Sequence, residues 1–295
     1  MTGIYNDNNP ASGQPPQVLA AWMRDQMGDL HEGPLRNLAD LRGQLQALAF
    51  EWDATAMAQA VGNLRSTSRE LHFDNLRPGW FARRMGKHKP VYARFVGAYE
   101  RIVGAARNVK VEAAQLAGAF KGHAASVKRV MVGIDIESKA LQAEVELGVT
   151  WLQDLCLQLN QQRELGSTES DLAVLAEAAQ AFTQEYKSLQ SVSSIAREIG
   201  VRMQGLLDRR NALAELIRGD MDKFDKGWSR IIGRVSGEMD AGRTSIPGLG
   251  EAAEAHEEFS SRLANAAEAC SALQNEEHLM VQHLDMLRRE LDPGR

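Results

Sequence analysis

The densest group of side chains suited to binding chemistry lies between Arg77 and Arg94, where cations are mixed with large apolar residues and no acid intervenes. Basic groups interleaved with aromatic rings can hold an anionic surface, because Coulomb attraction adds to shallow insertion of the rings. This pattern predicts a binding site for an anionic partner. Its candidate residues are Arg77, Trp80, Phe81, Arg83, Arg84, Lys87, Lys89 and Arg94.

Charge is distributed unevenly along the chain. Residues 75–134 carry twelve Lys or Arg and only two acids, a net of +10, whereas the whole chain has a net charge of −5. The rest of the chain therefore carries −15, and the basic stretch could instead lie against acidic helices of its own bundle, with Trp80 and Phe81 closing the bundle end. The overall acidic balance disfavours nucleic acid, so the predicted partner is a protein or an anionic membrane surface.

Signals for catalysis, metals or cofactors are absent from the sequence. None of the seven histidines has an Asp, Glu, His or Cys three or four positions away, the spacing that would put two ligands on one helical face. Gly86-Lys87 lacks the other residues of a phosphate loop, and Gly248-Leu249-Gly250 follows no strand. Cys156 and Cys270 are far apart and have no neighbouring histidine. We therefore predict a protein that is not an enzyme, with no catalytic, metal or cofactor residues.

Composition and periodicity predict the elements that must position the basic segment. Ala, Leu, Glu, Arg and Gln recur throughout, aromatic content is 6%, and no proline falls between 91 and 246. From Tyr92 to Ile134 apolar residues repeat every three or four positions, the heptad spacing of a coiled-coil seam. The stripe resumes after a register shift at Leu141, and a second rod carries a similar stripe that shifts at Ile195 and runs to about Met239. The predicted fold is all-α, an elongated bundle of long antiparallel helices with coiled-coil-like seams.

Breaks in the pattern divide the chain. We predict a flexible leader at 1–16, short helices at 17–75 with Gly33-Pro34 as a break and Pro34 near a helix start, and a long-helix core at 76–241 in which Pro90 lies in a first turn. Leu165-Gly166-Ser167 interrupts that core, with Ser167, Thr168 or Ser170 as the helix cap. A loop at 242–250 and a last helix at 251–295 complete the chain.

The sequence features that report on cellular compartment are mainly absences. Residues 1–16 lack the basic and apolar regions of a secretory signal, and no stretch approaches about 18 consecutive apolar residues. The two separated cysteines favour a reducing compartment. We expect a cytoplasmic protein that could lie peripherally at the inner face of the membrane.

The same basic segment resembles a known family. Leu76-Arg77-Pro78-Gly79-Trp80-Phe81-Ala82-Arg83-Arg84-Met85-Gly86-Lys87, followed by Tyr92-Ala93-Arg94-Phe95, is similar to the aromatic-basic turn of the TelA/KlaA-type toxic-anion (tellurite) resistance family. Arg210-Asn211-Ala212-Leu213-Ala214-Glu215-Leu216-Ile217-Arg218-Gly219 resembles a second motif of that family. The resemblance covers roughly residues 76–235 and is that of a divergent or shortened member, since Gly118, Gly122 and His123 stand where an acid-asparagine stretch is expected.

The resemblance implies a helical, non-enzymatic cytoplasmic protein associated with tellurite or envelope-directed stress, with no catalytic residues to transfer. The leading hypothesis is a scaffold or adaptor that acts in the stress response through protein–protein interaction or contact with an anionic membrane surface. The alternative is a structural coiled-coil component that forms homo-oligomers or joins a larger complex. Seams left unsatisfied within one chain would then pair between chains.

Overall fold

The computed structural model describes residues 17–18, 20–21, 32–50, 54–73, 76, 89–164, 166, 168–243 and 245–292. Within these ranges every regular element is helical and none is a strand, so the prediction of an all-α bundle is confirmed. In chain order the elements are α1 (Glu32–Phe50), α2 (Thr55–Ser68), α3 (Lys89–Glu164), α4 (Glu169–Lys223), a π-helical turn (Phe224–Trp228), α5 (Ser229–Asp240) and α6 (Leu249–Leu291).

Much of each predicted seam is buried, although Ala113, Leu116 and His123 in the middle of the α3 seam are only half-buried. On α3, Tyr92, Ile102, Val127 and Ile134 are all at most 4% exposed, at the spacing of three and four that the sequence predicts. One detail was wrong on α4: the stripe shifts at Val192 and Ser193, both buried, so Ala196 is fully buried and Ile195 is only half-buried. The shift therefore occurs nearly one turn earlier than predicted.

The predicted register shift on α3 centres on Ser138, which is 1% exposed. Val130, Ile134, Ser138 and Leu141 follow one another at spacings of four, four and three, so an extra four-residue step is inserted into the heptad pattern. The backbone oxygen of Ser138 accepts a 2.9 Å hydrogen bond from the Ser193 hydroxyl of α4. Two small polar residues thus mark the place where α3 and α4 change register.

Helix ends follow the predicted turn chemistry. Pro34 and Pro90 lie in the first turns of α1 and α3. Gly166 has a φ of +78°, which ends the α3–α4 connection in a conformation that glycine adopts without strain. Thr168 caps α4, because its hydroxyl oxygen accepts a 3.3 Å hydrogen bond from the Asp171 backbone N–H. Ser167 lies outside the described residues.

The second rod ends at Asp240, close to the predicted Met239, but it contains a π-helical turn that the sequence did not predict. The Ser229 backbone N–H donates to the Phe224 carbonyl, the i→i+5 pattern that inserts one extra residue into the helix. This turn brings the rings of Phe224 and Trp228 into a stack with centroids 4.8 Å apart.

The chain forms two compact units, each made from several segments. Unit 1 comprises residues 1–47, 126–203 and 280–295. Within it α1 runs antiparallel to α3, since the Asn37 amide donates to Glu137 at 3.0 Å and Leu41 packs against Gly133. On α6, the Nε2 atom of His283 lies 3.2 Å from a Glu198 carboxylate oxygen on α4.

Unit 2 comprises residues 48–125 and 204–279. Its α4–α5 rod runs antiparallel to α6, because Arg210 pairs with Glu277 whereas Trp228, further along the rod, pairs with His256. None of the described helices is both long and apolar enough to cross a membrane.

Candidate functional site

The predicted binding residues fall into two groups. Arg77, Trp80, Phe81, Arg83, Arg84 and Lys87 lie outside the described residues, and the structure places only Lys89 and Arg94. Both belong to the first turns of α3 and both are exposed. The described part of the candidate site is therefore the N-terminal end of α3, on unit 2.

The chain is fixed to unit 2 on both sides of the basic segment. Before it, Leu76 is 2% exposed and its backbone N–H donates to the Phe73 carbonyl at 3.2 Å. After it, Tyr92 and Phe95 are each 4% exposed. The rings of Phe73 and Phe95 meet edge to face with centroids 5.4 Å apart, which joins the two anchors to each other. The segment between Leu76 and Tyr92 therefore starts and ends on the same surface.

Cations further along α3 have acidic partners inside unit 2. The Arg101 guanidinium donates to a Glu70 carboxylate oxygen at 2.6 and 3.1 Å. The Lys110 ammonium lies 2.5 and 2.6 Å from the two carboxylate oxygens of Asp225. By contrast, no described residue forms an ion pair with Lys89 or Arg94. Within the described residues, internal neutralisation therefore applies to Arg101 and Lys110, and no acidic partner is found there for Lys89 or Arg94.

An aromatic cluster lies beneath this end of α3. Trp228 is 3% exposed and packs against the rings of Tyr99, Phe224 and Phe259 at centroid distances of 5.8, 4.8 and 5.2 Å. The Tyr99 hydroxyl also reaches the Ser229 carbonyl at 3.4 Å. Sequence reasoning missed this cluster; its only signal was the i, i+4 spacing of Phe224 and Trp228, which any helix core can show. The cluster fixes α3 to the π-helical turn and so sets the position of Lys89 and Arg94.

His256 joins this cluster to α2. The Trp228 indole N–H donates to His256 Nδ1 at 3.2 Å, and the imidazole also hydrogen-bonds the backbone of Ser68. Burial lowers the pKa of His256 from its ordinary value, the Ser68 backbone opposes that shift, and nearby His72 adds to it. The neutral imidazole is therefore the form that the folded protein prefers.

We expect the stability of the protein to fall as the pH falls below about 6.5, because the unfolded chain then protonates His256 more readily than the folded chain does. The loss should stop once the pH passes below the lowered pKa in the folded state. Urea unfolding at several pH values, compared between the native chain and His256→Gln, measures this. An equal pH dependence in both proteins would show that His256 does not contribute.

Transverse ion pairs hold α6 to α4 in unit 2. The buried Arg210 guanidinium donates to Glu277 at 2.7 Å, and the other carboxylate oxygen of Glu277 accepts the Ala54 backbone N–H at 3.4 Å. Further along, Arg262 bridges Asp220 at 3.3 Å and Glu258 at 2.5 Å. Arg262 lowers the pKa of Glu258 through that hydrogen bond. These groups align the helices and leave no free carboxylate pair for acid–base chemistry within them.

The second motif of the family resemblance borders a groove in unit 2. The groove has a volume of about 500 Å³, and its lining includes the small apolar residues Ala113, Ala117 and Ala214. Lys110, Arg218 and acidic residues of α4 and the π-helical turn also line it, and no Ser, Thr, Cys or His is among its described lining residues.

The described ranges contain no assembled site for metal or thiol chemistry. No group of three His, Cys, Asp or Glu side chains there could hold a metal ion. Both cysteines are free: Cys156 is exposed, and burial raises the pKa of Cys270 to about 11.

Comparison of this chain with protein-family models, with characterised proteins and with solved structures finds no match. The resemblance of residues 76–235 to the toxic-anion resistance family stays a prediction.

Proposed function

We propose that this chain is a non-enzymatic helical scaffold or adaptor of the toxic-anion resistance type. In this proposal the basic-aromatic segment from Arg77 to Arg94 contacts an anionic partner, either the acidic surface of a protein or the inner face of a membrane. The helices of unit 2 present the segment, and the protein acts in toxic-anion or envelope stress through that contact.

The observation that supports this proposal most is that some cations of α3 form ion pairs within unit 2 and others do not pair with any described residue. Arg101 and Lys110 are neutralised within unit 2, whereas Lys89 and Arg94 are exposed and no described residue pairs with them. A cation kept in water keeps its full attraction for an anionic surface, and each such Lys or Arg contributes about 1 kcal/mol near an anionic membrane. Several cations in one segment would thus give salt-sensitive binding without a deep pocket.

The double substitution Lys89→Glu/Arg94→Glu tests the proposal. Loss of two cations should weaken binding to vesicles that contain anionic lipid by at least about tenfold, because each contributes about 1 kcal/mol. The matched control is Lys128→Glu/Arg129→Glu, which changes the charge equally at two exposed positions on the same helix. We expect the control to bind as the native protein does, and equal losses in both variants would refute a specific segment.

A wider substitution adds three cations outside the described ranges to Lys89. Arg83, Arg84, Lys87 and Lys89 changed together to Glu should abolish partner binding while thermal unfolding stays cooperative. If cooperative unfolding is lost as well, the basic segment is an internal part of the bundle and the proposal is wrong.

The second candidate function is a self-assembling structural component of a larger complex. The exposed apolar side chains Val149 and Leu157 near the end of α3 favour it, since a seam left open in one chain can be filled by another. A concentration-dependent dimer in light scattering would support this alternative.

A further inference from the structure

An uncharged strip covers one face of α3 near its C-terminal end. Its members all belong to α3 and border a shallow cavity of about 460 Å³: Val149, Leu152, Gln153, Cys156, Leu157 and Asn160. Val149 is 45% exposed and Leu157 is 62% exposed, and Cys156 is exposed as well. The uncharged strip is thus an apolar and amide surface within unit 1 that contacts solvent.

The uncharged strip differs from the buried seam of the same helix. Leu141, Val145 and Gly148 face the bundle, whereas Val149, Gln153, Cys156 and Asn160 follow one another at spacings of four, three and four on another face. This is again the spacing of a coiled-coil seam. Towards its end α3 therefore carries two seams, and the described helices of unit 1 cover only one of them.

Among the described helices, α6 ends before it reaches the second seam. His283 of α6 lies beside Glu198 of α4, so Leu291, eight residues further, is level with about residue 190 of the antiparallel α4. Because Ser193 lies beside Ser138, that level corresponds to about residue 141 of α3. From there to Glu164, α3 extends past the end of α6.

Charge at the two ends of the uncharged strip identifies its occupant. Glu146 precedes the strip and Arg163 follows it, each on the same face and each exposed. If two copies of the helix pair antiparallel about the point between Asp154 and Leu155, position 146 of one copy faces position 163 of the other. Val149 then faces Asn160, and Gln153 faces Cys156. A parallel pair would instead oppose Glu146 with Glu146 and Arg163 with Arg163, which is unfavourable.

We propose that two copies of this chain pair antiparallel through the uncharged strips of their α3 helices, with Glu146 of each copy opposite Arg163 of the other. The inference deepens the second candidate function, self-assembly, and is independent of the anionic contact. A symmetric pair of this kind is self-complementary, so it closes as a dimer and does not extend into a filament. Each dimer would carry two basic segments, which strengthens binding to a surface that both can reach.

Cross-linking of Cys156 in the native chain tests the pairing directly. Cys156 of one copy would lie opposite Gln153 of the other, so the two sulfurs would be separated by about 5 Å along the axis and about 8–10 Å between axes. A short bismaleimide should therefore give a covalent dimer. Cys270 is 2% exposed and its pKa is raised by burial, so it should not react, and Cys156→Ser should abolish the product.

Exchange of the charges at positions 146 and 163 distinguishes this antiparallel pairing from other modes of self-assembly. Glu146→Arg or Arg163→Glu alone would oppose like charges twice per dimer and should raise the dimer dissociation constant in sedimentation by about three- to tenfold. The double variant exchanges both charges and should restore native affinity. If the dimer dissociation constant is unchanged in the single variants, the antiparallel pairing is wrong but self-assembly still holds. If the native chain is a monomer at every concentration, both the pairing and self-assembly are wrong.

Discussion

Replacement of Glu277 by Leu is expected to lower the free energy of unfolding by about 3–5 kcal/mol, since it removes one partner of a buried ion pair. Arg210 is 3% exposed, and its guanidinium lies 2.7 Å from the Glu277 carboxylate. That carboxylate also accepts the backbone N–H of Ala54, the N-cap residue of α2, whose own side chain cannot cap the helix. The substitution would remove the Glu277 carboxylate from a buried guanidinium and release the end of α2.

The neighbouring pair Arg209–Glu276 provides the control. These groups lie 3.4 Å apart, and the Arg209 side chain is 54% exposed, so Glu276→Leu should change stability by less than about 1 kcal/mol. Arg210→Met combined with Glu277→Leu should recover most of the loss, because no charge is then left buried. Urea unfolding of the four proteins measures these differences. Equal effects of Glu277→Leu and Glu276→Leu would mean that burial of Arg210 does not matter.

The substitution Gly148→Ala is expected to destabilise the protein by about 3 kcal/mol, at the upper end of the range for overpacked cores. A Cβ atom at position 148 would lie only 1.9 Å from the ring of Tyr186, which packs directly on the α3 backbone. Tyr186 cannot yield easily, since it is 5% exposed and packs against Phe182. Burial, with Glu144 and Glu185 nearby, raises the pKa of Tyr186 to about 12.

Gly104 on the same helix should respond with the opposite sign. No atom lies within 4 Å of a Cβ at that exposed position, so Gly104→Ala should stabilise the protein by about 0.5–1 kcal/mol through helix propensity alone. Thermal unfolding of both variants provides the comparison. Stabilisation by Gly148→Ala would disprove the close contact with Tyr186. If the contact is present, the further substitution Tyr186→Leu should reduce the loss of stability that Gly148→Ala causes.

The buried faces of the helices could be predicted from sequence because apolar periodicity reports burial directly. The spacing from Tyr92 to Ile134 therefore identified the buried residues at both ends of that stretch, whereas Ala113, Leu116 and His123 between them are only half-buried. The π-helical turn could not be predicted, since its one extra residue leaves Phe224 and Trp228 at an ordinary i, i+4 spacing. The uncharged strip was hidden for a related reason: Val149 and Leu157 are apolar like the seam residues, and apolar periodicity does not show which apolar face stays exposed.

The candidate site was predictable in its composition but not in its contacts. A run of cations is visible in any sequence, whereas the pairing of Arg101 with Glu70 and of Lys110 with Asp225 depends on which helices become neighbours. The role of His256 likewise depends on contact with Trp228, 28 positions away in the chain. Long-range partners of this kind follow from the bundle topology, which apolar periodicity does not specify.

Flotation of the purified native chain with vesicles tests the central claim most directly. Anionic and neutral vesicles should be compared at two salt concentrations, because attraction between exposed charges is screened as salt rises. The proposed contact predicts that the protein floats with anionic vesicles at low salt, floats less at high salt, and does not float with neutral vesicles. A protein that stays in the soluble fraction under every condition would contradict a membrane contact and direct the search to acidic protein partners. Equal flotation with neutral vesicles would contradict an electrostatic contact altogether.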